Sequence, residues 1–136
     1  MSGLFIFEGV EGSGKTTLIN SVHLALIKKN FTSIKTREPG GTNLGKKIRE
    51  LLLESNAECT NISPLTELLL FCADRSQHLT EILKPSLEQK NFVLCDRFIY
   101  STIAYQVYGR GLDAKLIESL NKIVLNSFKP NGVILL

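Results

Sequence analysis

A chain of 136 residues is long enough for one hydrophobic core and predicts a single domain over residues 1–136. With 43% hydrophobic and 21% charged residues it is ordinary for a globular protein, and a net charge of +3 is too small to mark a nucleic-acid surface. Three cysteines without metal-ligand spacing (Cys59, Cys72, Cys95) and no apolar run near 18 residues predict reduced thiols, no membrane span and a cytoplasmic location.

The first predicted element is a buried strand over residues 4–7, short and apolar. It leads into Gly9-Val10-Glu11-Gly12-Ser13-Gly14-Lys15-Thr16, which fits the P-loop pattern G-x-x-x-x-G-K-[ST]. Leu18, Val22, Ala25 and Leu26 then share one face of a helix. Strand, glycine loop and helix together form an anion cradle: backbone N–H groups turn inward, and the helix dipole adds positive potential. Residues 9–17 are therefore the expected phosphate-binding stretch, including Gly9, Val10, Glu11, Gly12, Ser13, Gly14 and Thr17. Lys15 is expected to reach the β- and γ-phosphates of a nucleoside triphosphate, and the Thr16 hydroxyl to ligate Mg²⁺.

A second strand is predicted over residues 32–36, followed by Arg37-Glu38-Pro39-Gly40-Gly41. That loop reads equally as a solvated turn or a binding loop. Leu44, Ile48, Leu51 and Leu52 repeat with helical period, and residues 55–62 are polar and loop-like. Ser63 and Pro64 form a helix start, with Leu65, Leu68, Leu69 and Cys72 on one face, continued by Leu79, Ile82 and Leu83, until Pro85 kinks or restarts the helix. Phe71 and Arg75, four residues apart, share a helical face that suits either a base and a phosphate or plain core and surface roles. His23 and His78 read as surface or packing residues, and Cys72 and Cys95 as core.

Phe92-Val93-Leu94-Cys95-Asp96 reads as a parallel strand buried on both faces. An Asp at its carboxyl end, beside a P-loop strand, is placed to hold Mg²⁺ through a water. Arg97 follows it and can meet a transferring phosphoryl group. Asp113 caps a predicted helix carrying Leu116, Ile117, Leu120, Ile123 and Val124, and Pro130-Asn131-Gly132 turns into a last strand over residues 133–136. The expected fold is α/β: a parallel sheet of P-loop NTPase type with helices on both faces, three layers, truncated after the fourth strand.

The motifs Phe7-Glu8-Gly9-Val10-Glu11-Gly12-Ser13-Gly14-Lys15-Thr16-Thr17, Thr36-Arg37-Glu38-Pro39-Gly40-Gly41-Thr42, Asp96-Arg97-Phe98, Ala104-Tyr105-Gln106 and Gly109-Arg110-Gly111 occur in register. Together they resemble bacterial thymidylate kinases over residues 3–136. The resemblance implies phosphoryl transfer from ATP to dTMP, giving dTDP and ADP in dTTP synthesis, with Mg²⁺ and a homodimer. It implies Lys15, Asp96 and Arg97 as catalytic residues and Thr16 and Asp96 as the metal site. For dTMP it implies Phe71 stacking on thymine and Arg75, Thr102 and Gln106 around the base. Tyr105 is implied beneath the deoxyribose, Glu11 at the 3′-hydroxyl, and Arg37, Arg49 and Arg97 around the phosphate. Phe98 stands where the family commonly has Tyr. The family also continues into a lid and further helices beyond the fourth strand. Gly12 marks the type that draws its arginines from that lid, so these residues are expected to be an N-terminal portion of low stability. A kinase for another nucleotide or nucleoside, and a nucleotide-binding fragment without turnover, stand as alternatives. A guanine-reading Asn-Lys-x-Asp is not found.

Overall fold

The computed structural model describes residues 1–53 and 61–136. Cys59 and most of the loop expected over residues 55–62 lie outside them. Four strands alternate with helices: β1 (Gly3–Glu8), α1 (Lys15–Lys28), β2 (Ser33–Arg37), α2 (Asn43–Leu53), α3 (Pro64–His78), α4 (Lys84–Glu88), β3 (Phe92–Asp96), α5 (Ile99–Thr102), α6 (Ala114–Leu125) and β4 (Gly132–Leu135). Two wider π turns, Leu79–Leu83 and Ile103–Gly109, join α3 to α4 and extend α5. The strands form one parallel sheet in the order β2-β3-β1-β4. All four strands thus end on the same edge, the edge where open α/β sheets place ligands.

Strand alternation divides the core. Leu4 and Ile6 of β1, with Val93 and Cys95 of β3, pack against Leu79, Leu83 and Phe98 on one face of the sheet. Phe7 and Leu94 meet Ile19 on the other, where Phe5, Leu18, Val22 and Leu26 complete the contact with α1. Helices therefore cover both faces, as expected, and each fully buried aliphatic or aromatic side chain contributes about 1.5–3 kcal/mol. A third cluster, Leu68, Cys72 and Ile117, lies among the helices. Ser63 accepts a hydrogen bond from the Thr66 amide, and Asp113 from the Lys115 amide, so both expected caps form. Pro85 opens α4, a restart rather than a break. No helix among the described residues is long and apolar enough to cross a membrane.

Several helical faces are rotated from the expected ones. On α1 the expected face largely holds, since Leu18, Val22 and Leu26 pack on the sheet beside the buried Ile19, and of the expected residues only Ala25 is exposed. On α2 Gly45 and Ile48 are buried while Leu44 and Leu51 face solvent, because α3 approaches α2 closely enough to demand a glycine there. Leu65 and Leu69, 47% and 48% exposed, leave α3's packed face to Leu68 and Cys72. On α6 Ile117 is buried, Ile123 is 75% exposed, and Leu116 is also exposed. The helix of residues 99–109 was not foreseen at all. Its apolar residues follow no regular 3.6-residue stripe, since it widens into a π turn and spends its buried positions on Thr102 and Gln106.

Candidate active site

The site begins where β1 ends. Gly12 and Gly14 turn the chain with φ of 77° and 92°, conformations that a side chain would strain, and Gly14 opens α1. Lys15, buried at the first position of that helix, folds into the loop it belongs to. Its Nζ donates to the carbonyl of Gly9 at 2.9 Å and of Val10 at 2.7 Å. The ammonium is thus held inside the cradle by carbonyls that an anion's oxygens can replace. Glu11, Gly12, Ser13, Gly14, Thr16 and Thr17 line the cleft; Gly9 and Val10 do not, and serve through their backbone.

Two strands finish in acids side by side. In register Phe7 faces Asp96, and Glu8 is the next residue of β1. Glu8 is satisfied within the protein: its Oε1 accepts from the amides of Phe98 (2.9 Å) and Ser101 (3.3 Å), fixing the start of α5. Asp96 differs, because its Oδ1 is buried with no partner. Arg97, at φ 69°, donates its amide to the Phe7 carbonyl and its guanidinium to Ser101 Oγ at 3.0 Å, and lies 5.7 Å from the Tyr105 ring. Phe98 is buried beneath the Arg75 guanidinium, 5.1 Å from its ring centre, so the phenyl ring packs.

The far wall comes from α3 and the helix after β3. Arg75 is 1% exposed. Its Nε donates to Glu38 Oε2 at 2.8 Å and its NH2 to Thr102 Oγ1 at 3.0 Å, while NH1 has no partner. The other Glu38 oxygen meets His78 Nδ1 at 2.9 Å, and His78 Nε2 meets Thr36 Oγ1 at 2.6 Å. A charge this deep needs such a partner: removing one member of a buried pair costs about 3–5 kcal/mol. Gln106 Nε2 donates to Glu67 Oε1 at 2.7 Å, and its own carbonyl oxygen is buried and unpartnered. Phe71, Thr102 and Tyr105 line the same wall.

Arginines close the remaining side. Arg37 ends β2, Arg49 projects from α2, and Arg97 follows β3; all three line the cleft. Arg49 also donates to the Pro39 carbonyl at 3.0 Å. Burial, then the nearby Arg37 charge, lowers its pKa from the usual arginine value, with Arg97 acting the same way. Guanidinium groups that crowd one another in this way form a site for a dianion. Below them Asp74 accepts from the Gly40 amide at 3.0 Å, and burial raises its carboxyl pKa to about 6. Burial likewise raises the thiols of Cys72 and Cys95, both core residues as expected.

The chain thus brings the expected site residues, Gly9 and Val10 excepted, to one cleft of about 1120 Å³. Sequence reasoning gave no role to the acids behind the site, Glu8, Glu38 and Glu67, nor to Asp74, which holds the Gly40 amide, or His78, which meets Glu38. Glu8 had a signal, since it ends an apolar strand as Asp96 does. Among the described residues no group of three or more His, Cys, Asp or Glu is placed to hold a metal ion. Thr16 and the free Asp96 oxygen suit a Mg²⁺ that takes its other ligands from phosphates and water.

A P-loop at the carboxyl edge of a parallel sheet, opening into an arginine-rich cleft, defines the class: a nucleotide-binding P-loop α/β protein. The thymidylate kinase family matches residues 7–136, and the chain belongs to that family. It is 51% identical over 142 residues to the thymidylate kinase of Prochlorococcus marinus (strain NATL2A), covering all of this chain and 67% of that protein. With the thymidylate kinase of Trichodesmium erythraeum it shares 49% identity over 96% of this chain and 64% of that one. The crystal structure of thymidylate kinase from Ehrlichia chaffeensis superposes with a TM-score of 0.88 at 44% identity, covering 98% of this chain and 70% of that one. The chain therefore spans about two thirds of the length of these relatives.

Proposed function

We propose that this chain carries the P-loop and acceptor site for phosphoryl transfer from ATP to dTMP, giving dTDP and ADP in dTTP synthesis, with residues 1–136 acting as one P-loop kinase domain. The observation that carries this reading is one cleft joining the P-loop to a pocket where Arg75 NH1 and Gln106 Oε1 are buried without partners. An unsatisfied donor and an unsatisfied acceptor on residues lining one cleft ask for a ligand with the converse pair. Thymine offers it, with a ring N–H next to a carbonyl. Uracil and guanine carry the same pair, whereas cytosine and adenine present a lone pair and an amino group; within the alternative of a kinase for another nucleotide or nucleoside, this weighs against cytidine and adenosine substrates.

In this reading Phe71 stacks on the base, Thr102 adds a hydroxyl, Tyr105 packs against the deoxyribose and Glu11 takes the 3′-hydroxyl. Arg37, Arg49 and Arg97 neutralise the acceptor phosphate and hold it in line with the triphosphate. Lys15 exchanges the carbonyls of Gly9 and Val10 for phosphate oxygens, so positive charge is already in place where negative charge develops. Thr16 and Asp96 would hold Mg²⁺, which when bound neutralises phosphate charge. The exposed Leu65 and Leu69 support a homodimer, checked by light scattering. The deciding test is dTMP-dependent ADP release with ATP and Mg²⁺. Turnover is expected to fall about a hundredfold or more in Lys15→Ala. Stabilisation by dTMP without ADP release would mean binding without turnover, and no response to dTMP would refute the reading.

A further inference from the structure

Gln106 is an amide, and an amide alone does not choose its base. Turned by 180°, it would present an N–H₂ donor where it now presents a carbonyl acceptor, and would suit cytosine's lone pair as well as it now suits a ring N–H. Something must hold it one way round. Glu67, in the first turn of α3, does so: a carboxylate accepts and never donates, and Glu67 Oε1 lies 2.7 Å from Gln106 Nε2. Only the N–H₂ end can face it, so the buried carbonyl oxygen is left pointing away without a partner.

Glu67 is in turn fixed by Arg110, four residues beyond Gln106. Arg110 NH2 donates to Glu67 Oε2 at 2.8 Å and its Nε to Oε1 at 3.3 Å. The Arg110 guanidinium is half exposed, whereas Glu67 is mostly covered. The pair ties α3 to the helix after β3 at the edge of the cleft, while the Glu67–Gln106 bond forms independently of it. We infer that Glu67 is a positioning residue for base selection: by engaging the N–H₂ end of Gln106, it leaves only the carbonyl oxygen of this cleft-lining amide free for a ligand, so that an N–H on the base is required and cytosine is disfavoured. The inference rests on the thymidylate reading of the cleft and adds a residue that touches Gln106 rather than the nucleotide.

The alternative is a staple, in which Glu67 merely ties α3 to the helix after β3. Binding of dTMP and dCMP to the whole chain, by calorimetry, separates the two across wild type, Glu67→Ala, Glu67→Gln, Arg110→Ala, Gln106→Ala and the Glu67→Ala/Gln106→Ala double variant. Glu67→Ala frees the amide to turn, and the preference for dTMP over dCMP is expected to fall about tenfold. Glu67→Gln, which keeps one carbonyl for the amide, is expected to retain part of it, and stands in if the alanine variant does not fold. Arg110→Ala breaks the staple but leaves the Glu67–Gln106 bond, so the preference should hold. In the Gln106→Ala background, removing Glu67 should change the preference little, because its effect passes through the missing amide. Equal loss in Arg110→Ala and Glu67→Ala, additive losses in the double variant, or an unchanged preference in Glu67→Ala with wild-type selectivity intact, would each overturn the inference. Wild type that binds dCMP as well as dTMP, or neither, would remove the thymidylate reading itself.

Discussion

Asp74 sits where a single proton changes the balance of the fold. One oxygen takes the Gly40 amide and the other is buried without a partner, so ionisation leaves half the carboxylate unsolvated. Burial raises its pKa from 3.8 to about 6, opposed by the Gly40 hydrogen bond and reinforced by the Glu38 charge. In the unfolded chain the same group ionises near its ordinary value. Between those two pH values the native state holds a proton that the unfolded state has lost, so stability falls as pH rises from about 4 to 6 and is level above that. The shift corresponds to roughly 3 kcal/mol. Asp74→Asn removes the charge and keeps the shape. Urea denaturation at pH 4 and pH 7 should show the variant gaining on wild type by roughly that amount at the higher pH. Equal differences at both would mean that Asp74 ionises in the fold without cost. This acid was invisible in the sequence, where Phe71-Cys72-Ala73-Asp74-Arg75 shows an aromatic and a guanidinium on one face and gives no reason to bury the carboxylate between them.

Asp74 also sets how closely two helices approach. On α2 Gly45 faces the Asp74 carboxylate of α3, and a Cβ there would run into its Oδ1. Asp74 has no room to yield, because that oxygen is held by Gly40 and the side chain is short. Gly45→Ala gains about 1 kcal/mol in helix propensity and loses up to about 3 kcal/mol to overpacking, so a net loss of about 2 kcal/mol is expected in chemical denaturation. Because Arg49 lies one turn along α2 and bonds the Pro39 carbonyl, dTMP affinity should fall with it. Unchanged stability would show that the helices can part. The same contact bears on why α2's apolar face departs from the stripe: Leu44 and Leu51 match helical period, but the buried residues are Gly45, which meets Asp74 of α3, and Ile48. Elements with strong local signals were legible. β3 was placed at its observed bounds, and Ser63 and Asp113 marked true helix starts, since strand patterning and capping are local chemistry. The helix after β3 was not, because its buried polar residues serve the cleft instead of a hydrophobic stripe.

Across the whole molecule the cleft is built from every layer. Its walls come from the P-loop after β1, the ends of β2 and β3, α2, α3 and the helix after β3. The P-loop, Arg37, Asp96, Arg97, Tyr105 and Gln106 stand in motifs, whereas Arg49, Phe71, Arg75 and Thr102 take their site roles only from the family resemblance. The orienting roles of Glu38 and Glu67 were not legible, because they find Arg75 and Gln106 only through contacts 37 and 39 residues apart. A ligand that touches all of these elements binds the folded chain and has no site on the unfolded one, so its binding adds directly to global stability. At a hundred times its dissociation constant, dTMP should contribute about 2.7 kcal/mol. For a chain of this length that is a rise of about 9 °C in melting temperature. Measured against each variant's own midpoint, Arg75→Ala should lose most of the rise, since both the NH1 donor and the Glu38 pair disappear. Lys15→Ala should keep the dTMP rise and lose the one produced by ATP and Mg²⁺, because Lys15 belongs to the other end of the cleft. Loss of both responses in Lys15→Ala would mean that the P-loop and the base pocket do not form independently. A dTMP response preserved in Arg75→Ala would place the nucleotide somewhere other than this cleft.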